Sequence, residues 1–363
     1  MLQKALFLLF VLASIAVSVS CGTTSSHYVY ATLPAADQLG AYREDPNSGV
    51  LTELAGSPYS VGDGARSLVL HPSGKFLYAA NPGQEENDIS LFTIASDGSL
   101  TEVFPRTSVA PDGSLPQVLA MDPAGGFLYS ANAGSANISV FAIDPNAGAL
   151  TEVTGSPFTI GFTPLNMQVT PSGSYLYVTG PGQLLGTIAT FSVNAGVLQL
   201  VSLTSSEGVN PSGLAIDPTS TYLYVANSSS NSLAIFTIAS SGGLTQVPGS
   251  PLADIYNDPI ALVLDPKGQY LYVANQTSNN VAVYSIDSTT GLPVALTTST
   301  STFAFATESS PSFLAEDPNG AYLFVGNQGA LAGIQAFGLS GGNLNPLFTY
   351  GVGNSPTSIA VLQ

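Results

Sequence analysis

The stretch DPKGQYLYVAN, residues 265–275, joins a Pro-x-Gly turn to an alternating aromatic and β-branched run that ends in asparagine. Proline presets the turn backbone, glycine tolerates its left-handed position, and a period of two is the mark of a strand. The turn proline recurs at Pro72, Pro123, Pro171, Pro218, Pro266 and Pro318, in steps of 51, 48, 47, 48 and 52 residues. Behind it come FLYAAN (76–81), FLYSAN (127–132), YLYVTG (175–180), YLYVAN (222–227), YLYVAN (270–275) and YLFVGN (322–327). A seventh copy, YVYATL (28–33), lacks the preceding turn.

Each unit holds four strand-like runs. In the fifth they are SGLAI (212–216), YLYVAN (222–227), LAIFTI (233–238) and LTQVPGS (244–250), called a, b, c and d below. Tight turns such as Asp217-Pro218 and Gly242-Gly243 make neighbouring runs antiparallel. An aromatic ring sits at one place in every run c: Tyr42, Phe92, Phe141, Phe191, Phe236, Tyr284 and Phe337. Such a ring reads as core between units rather than as a ligand platform. A four-stranded unit of this length cannot bury both faces alone, so the units must pack on one another. Radial packing gives an all-β, seven-bladed β-propeller of four-stranded antiparallel blades. The first unit begins at run b, and the chain ends in PTSIAVLQ (356–363), a run a. The last strand therefore completes the first blade and hides two sheet edges.

Of 363 residues, 45% are hydrophobic and 8% charged, and no long helical period follows residue 21. Lys4 precedes the apolar run 5–17, which is short for a membrane span and ends in Ser18-Val19-Ser20-Cys21. Residues 1–20 read as a signal peptide, 21–26 (CGTTSS) as a tether and 27–363 as the propeller. The stretch before Cys21 resembles a bacterial lipobox, with Ser18 departing from the usual Leu-like residue. The expectation is an exported periplasmic or cell-surface protein anchored through an acylated Cys21; plain secretion is the alternative. Beyond Lys4, five Lys and Arg face 23 Asp and Glu. That field argues against nucleic acid and against unaided docking on anionic lipid, leaving membrane attachment to the anchor alone. The expected state is a monomer, with an unknown small molecule or envelope protein as partner.

The units 65–103 and 265–293 resemble the lactonase family of seven-bladed propellers. That family includes a bacterial 6-phosphogluconolactonase and the fungal carboxymuconate lactonizing enzymes; the units are also similar to YVTN surface-protein repeats. The resemblance covers residues 27–363 and lies mostly in turn and core positions, so it speaks to fold more than to activity. It implies a lactone-opening or lactone-forming site built from His, Arg and Glu.

In a propeller, ligands meet the d–a and b–c connections at one mouth. Arg66, before a run a, and Arg106, early in a d–a connection, are the cations expected there, as ligand-binding residues. Asp63, Glu85, Glu86, Asp88, Asp112, Glu207, Asp254, Asp258 and Glu308 make that rim acidic. Two cations are few for a phosphorylated sugar acid. Glu316 interrupts a row otherwise made of Leu70, Met121, Val169, Ile216 and Leu264. A carboxylate there should be partly buried with a raised pKa, as suits a general acid or base; the structural alternative is a bond to its own turn. His71 holds the turn position of Asp122, Asp217, Asp265 and Asp317 and stands ~16 Å along the strand from Arg66. His27 opens run b on that same hairpin face. The asparagines ending run b (Asn81, Asn132, Asn227, Asn275, Asn327) read as turn-bonding groups, and DPNSG (45–49) and DPNAG (144–148) lack the spacing of an EF-hand. The sequence calls for no cofactor and no metal. Three functions compete on this reading: a ligand-binding or interaction platform first, a lactone hydrolase or cyclase on a small sugar-acid lactone second, and a structural surface-layer protein third.

Overall fold

The computed structural model describes residues 27–83, 86–253, 256–296, 304–329 and 332–362. The proposed signal, Cys21 and the tether lie outside these residues, as do Glu85 and Asp254. Seven antiparallel sheets follow one another around a ring. Blade 1 is built from strand a Ile359–Leu362, b His27–Leu33, c Gln38–Glu44 and d Leu51–Glu53 with Tyr59–Ser60. The innermost strands a of blades 2 to 7 are Ser67–Leu70, Pro116–Met121, Asn166–Val169, Pro211–Ile216, Pro259–Leu264 and Pro311–Glu316. Helical structure among the described residues is limited to 3-10 turns at Pro34–Ala36 and Ser228–Ser230. None of the helices described is long and apolar enough to cross a membrane.

The ring closes as the sequence implies. Tyr28 pairs with Leu362, Val29 with Val361, Tyr30 with Ala360 and Ala31 with Ile359. Thr32 strengthens the joint, its hydroxyl accepting from the Thr357 and Ser358 amides.

The repeated residues are explained by contacts from each blade to the next. The third residue of the six-residue motif in strand b is Tyr30, Tyr78, Tyr129, Tyr177, Tyr224, Tyr272 or Phe324, and all of these are buried. Where the hydroxyl finds a partner, it donates to a glycine carbonyl in the next blade's c–d turn: Tyr30 to Gly98 (2.9 Å), Tyr78 to Gly148 (2.7 Å), Tyr177 to Gly242 (2.9 Å) and Tyr224 to Gly291 (3.0 Å). The first aromatic of strand b packs against that same glycine. A Cβ on Gly98 would sit 2.3 Å from the Tyr28 ring, and one on Gly49 would sit 2.6 Å from Tyr322. Both glycines also have positive φ, so backbone and space each demand glycine. Seven apolar clusters fill the interfaces, and each contains one strand c aromatic, as expected for a ring buried between units.

The outer strand departs from the expected single run. In blades 1, 3, 5 and 6 strand d is two short pieces, both paired to strand c. In blades 1, 3 and 5 a Gly-Ser-Pro insertion separates them, and proline cannot donate to the ladder. The serine hydroxyl takes over there, accepting from the Ala41, Val140 and Ile235 amides of strand c.

Candidate functional site

The seven strands a enclose a channel whose cavity of about 450 Å³ opens at the d–a and b–c face. Six residues before the turn proline, the ring reads Arg66, Gln117, Leu165, Ser212, Ile260 and Ser312, with Thr357 as the blade 1 counterpart. Two residues deeper, Leu68, Leu119, Met167, Leu214, Leu262 and Leu314 are buried and make an apolar throat. The cavity is therefore polar at its mouth and apolar below, the usual lining of a small-molecule pocket.

Strand a has no sheet neighbour on its channel side, so its polar side chains link it to the next strand a. Ser358 accepts from the Leu68 amide and Ser67 from the Leu119 amide, both at 3.0 Å. Asn166 donates to the Ser212 carbonyl, Ser212 to Pro259, and Ser312 to Pro356. These groups are committed to the scaffold. Gln168 differs: its Oε1 is buried in the cavity lining without a hydrogen-bond partner. Arg66, Gln117 and Gln168 thus mark one arc of the channel, across blades 2 to 4. The glutamines were missed in the sequence, although Gln168 breaks a row of Val69, Ala120, Ala215, Val263 and Ala315.

Arg66 lines the mouth and is exposed, with no ion pair among the described residues. Arg106 is not at the mouth. It lies inside the outer strand of blade 2, Leu100–Ser108, rather than in a d–a connection. Its Nε bonds Glu102 and its NH1 bonds Glu86, each at 2.7 Å, and it stacks over Phe104. The longer-than-expected strand d carries it outward, and two carboxylates occupy its donors.

Glu316 is half-buried on the side of strand a that faces blade 6. Burial first, then the Asp265 and Asp317 charges, pushes its carboxyl up to about 8. Both its oxygens are buried without hydrogen-bond partners, so it does not bond its own turn. It sits four strand residues deeper than the Arg66 ring, roughly 13 Å along the axis, and is absent from the cavity lining. The two cannot act on one carbonyl.

His71 is structural. Its Nδ1 accepts from Ser73 and its Nε2 donates to the Gly125 carbonyl of the next blade at 2.9 Å. His27 does not approach it; it lies with Glu44 and Asp317 on the hairpin face, the group of described residues with metal-ligating side chains close together. Glu44 was also missed. Two residues after the strand c aromatic, the other blades carry Ile94, Ile143, Val193, Ile238, Ile286 and Leu339. Burial, then the charges of Asp317 and Asp45, raises the Glu44 carboxyl to about 8. The run b asparagines are fully buried and bond mainly across the b–c connection: Asn81 to Asp88, Asn132 to Asn137, Asn275 to Asn280 and Asn227 to the Ser206 carbonyl. The Asp45 and Asp144 carboxylates accept from amides of their own turns, which holds their pKa values below the usual range.

A ring of seven four-stranded blades around a polar-mouthed channel defines a seven-bladed propeller with a cavity on its axis. The chain belongs to the lactonase family of seven-bladed β-propellers, whose family model, Lactonase, 7-bladed beta-propeller, matches residues 59–161, 164–254 and 231–302. The 6-phosphogluconolactonase of Formosa agariphila is 37% identical over 108 residues, which are 29% of this chain and 30% of that protein. The 6-phosphogluconolactonase of Klebsiella pneumoniae is 25% identical over 192 residues, 52% of this chain and 57% of its own length. The chain thus spans between 30% and 57% of the length of these curated relatives. The solved structure of the periplasmic gluconolactonase of Pseudomonas aeruginosa superposes with a TM-score of 0.77 at 17% identity, over 93% of this chain and 99% of that one. A Lactobacillus plantarum protein superposes with a TM-score of 0.77 at 23% identity, over 93% and 99%. At such identities the likeness concerns the fold.

Proposed function

We propose that the protein hydrolyses a small sugar-acid lactone at the mouth of its central channel. Arg66 carries the reading, as an exposed guanidinium on the rim of a cavity otherwise lined by neutral groups. Membership of the lactonase family favours this over the ligand-binding platform. Water adds to the lactone carbonyl, the ring C–O bond breaks, and the ring oxygen takes up a proton to give the open acid. Arg66 stabilises the negative charge that builds on the carbonyl oxygen, and Gln117 with Gln168 holds the sugar hydroxyls. A carboxylate of the acidic rim accepts the proton from water; Asp63, exposed and three residues before Arg66 on the same connection, is our choice. An unphosphorylated lactone suits the mouth better than a phosphorylated one, because Arg106 is tied to Glu86 and Glu102. Export with a lipid anchor at Cys21 belongs to the same proposal and matches a sugar acid met outside the cytoplasm.

The test is buffer-corrected hydrolysis of glucono-1,5-lactone by the purified chain. Arg66→Ala should lower kcat/KM by about 100-fold, the scale of losing one oxyanion donor, while Arg106→Ala leaves it unchanged. Turnover that is unaffected by Arg66→Ala removes the site from the mouth. No turnover of this or related aldonolactones, with binding retained at the mouth, returns the protein to the platform reading.

A further inference from the structure

We propose that His27, Glu44 and Asp317 form a binding site for one divalent transition-metal cation of the Zn²⁺ or Mn²⁺ class, clasping blade 7 to blade 1 where the ring closes. His27 begins strand b of blade 1, Glu44 ends strand c opposite it, and Asp317 follows strand a of blade 7. The period of two places all three in the interface between those blades, beyond Val29, Tyr42 and Ala315 of its apolar cluster. Their exposures are 3%, 1% and 0%.

The spacing is too long for direct hydrogen bonds and right for an interposed ion. His27 Nδ1 lies 3.8 Å from Glu44 Oε2 and 3.6 Å from Asp317 Oδ1, and one ligand atom from each residue fits within 4.8 Å of the others. Four ligands held tetrahedrally at 2.0–2.2 Å stand ~3.3–3.6 Å apart. Neither oxygen of Glu44 has a hydrogen-bond partner, nor does Oδ1 of Asp317. Two buried carboxylates in that condition are costly, and a dication removes the cost. Each side chain offers one ligand atom, so the three fill three positions of a tetrahedral set and leave the fourth to a water. The set holds one imidazole and no thiolate, which suits Zn²⁺ or Mn²⁺ more than a soft monovalent ion.

The other blades serve as internal controls. Asp217 accepts from the Thr219, Thr221 and Tyr222 amides of its own turn, and Asp265 accepts from Lys267, Gln269 and Tyr270. Asp122 likewise accepts from Phe127. Asp317, in the same turn position, keeps a single long contact of 3.4 Å, from Ala321 to its Oδ2. Its Oδ1 points instead to His27. Where Glu44 stands, the other blades have Ile, Val or Leu; where His27 stands, they have Lys75, Gly126, Ser174, Thr221, Gln269 and Ala321. Two departures from the repeat, His27 and Glu44, therefore meet a turn aspartate whose bonding departs from its counterparts, in the interface between the last blade and the first.

The test measures metal content and melting of the full chain, with Zn²⁺, Mn²⁺ and Ca²⁺ as probes after chelator stripping. The expected result is one equivalent of Zn²⁺ or Mn²⁺ per chain and a Tm roughly 5 °C higher at hundredfold excess over Kd. Glu44→Gln should weaken binding at least about 100-fold. Glu44→Ile restores the residue type of the other blades; it should fold, bind no metal at this site and melt at a temperature indifferent to chelator. Wild type that takes up none of the three ions, or whose Tm is the same with and without them, overturns the proposal. So does metal uptake that survives intact in Glu44→Ile. Lactone turnover is a separate readout, since the site is at the other end of the ring from Arg66.

Discussion

Tyr224→Phe deletes one oxygen and leaves the ring in place. That oxygen donates to the Gly291 carbonyl in the next blade at 3.0 Å, in a buried setting. The ring's apolar burial is retained, so the loss is confined to the hydrogen bond and to any desolvation of the orphaned carbonyl. A buried bond of this type contributes about 0.5–1.5 kcal/mol net, rising toward 3 kcal/mol if the acceptor is left unsatisfied. At roughly 2–4 °C per kcal/mol for a domain of this size or somewhat smaller, Tm should fall by about 1–6 °C, and by more if the acceptor is left unsatisfied. The protein supplies its own control. Tyr129 occupies the same position in blade 3, is equally buried, and its hydroxyl has no partner. Removing an unpaired buried hydroxyl relieves a desolvation cost, so Tyr129→Phe should leave Tm unchanged or raise it. Blade 7 already carries Phe324 there. Thermal melts at one scan rate, with circular dichroism and intrinsic fluorescence as probes, compare the pair directly. Equal losses in both variants would refute the claim that these tyrosines act by stitching blade to blade.

Deleting residues 356–363 removes the strand that pairs with 28–31 and bares the edge of strand b; aggregation or a broadened melt is expected in light scattering and calorimetry. Gly98→Ala forces a Cβ into the Tyr28 ring at a φ of +82°; a loss of about 1–3 kcal/mol should appear as a lowered denaturation midpoint. Arg106→Ala breaks contacts with Glu86 and Glu102 on the outer strand and should change Tm by a degree or two, with lactone turnover intact. Cys21→Ser should move the protein from the membrane to the soluble fraction on cell fractionation; a wild type already soluble would show that no lipid is attached.

The blade count, the closing strand and the inter-blade role of the strand c aromatics were all legible in the sequence, for one physical reason. A repeat places equivalent residues against equivalent neighbours, so each of the seven copies reports the same contact and period alone identifies the strand. Residues that break the repeat were legible as exceptions, as Glu316 was among Leu70, Met121, Val169, Ile216 and Leu264; its burial follows from its row. What an exception touches was not legible. Arg106 looked like a mouth cation until the nine-residue outer strand carried it onto Glu86 and Glu102. Gln168 and Glu44 broke their rows just as visibly, yet their surroundings come from other blades. His27, Glu44 and Asp317 are spread over 290 residues of chain, and nothing in their spacing joins them. Ring closure joins them, because it is a contact between the two ends of the chain. The sequence by itself determined what repeats, and the tertiary structure decided which non-repeating residues meet.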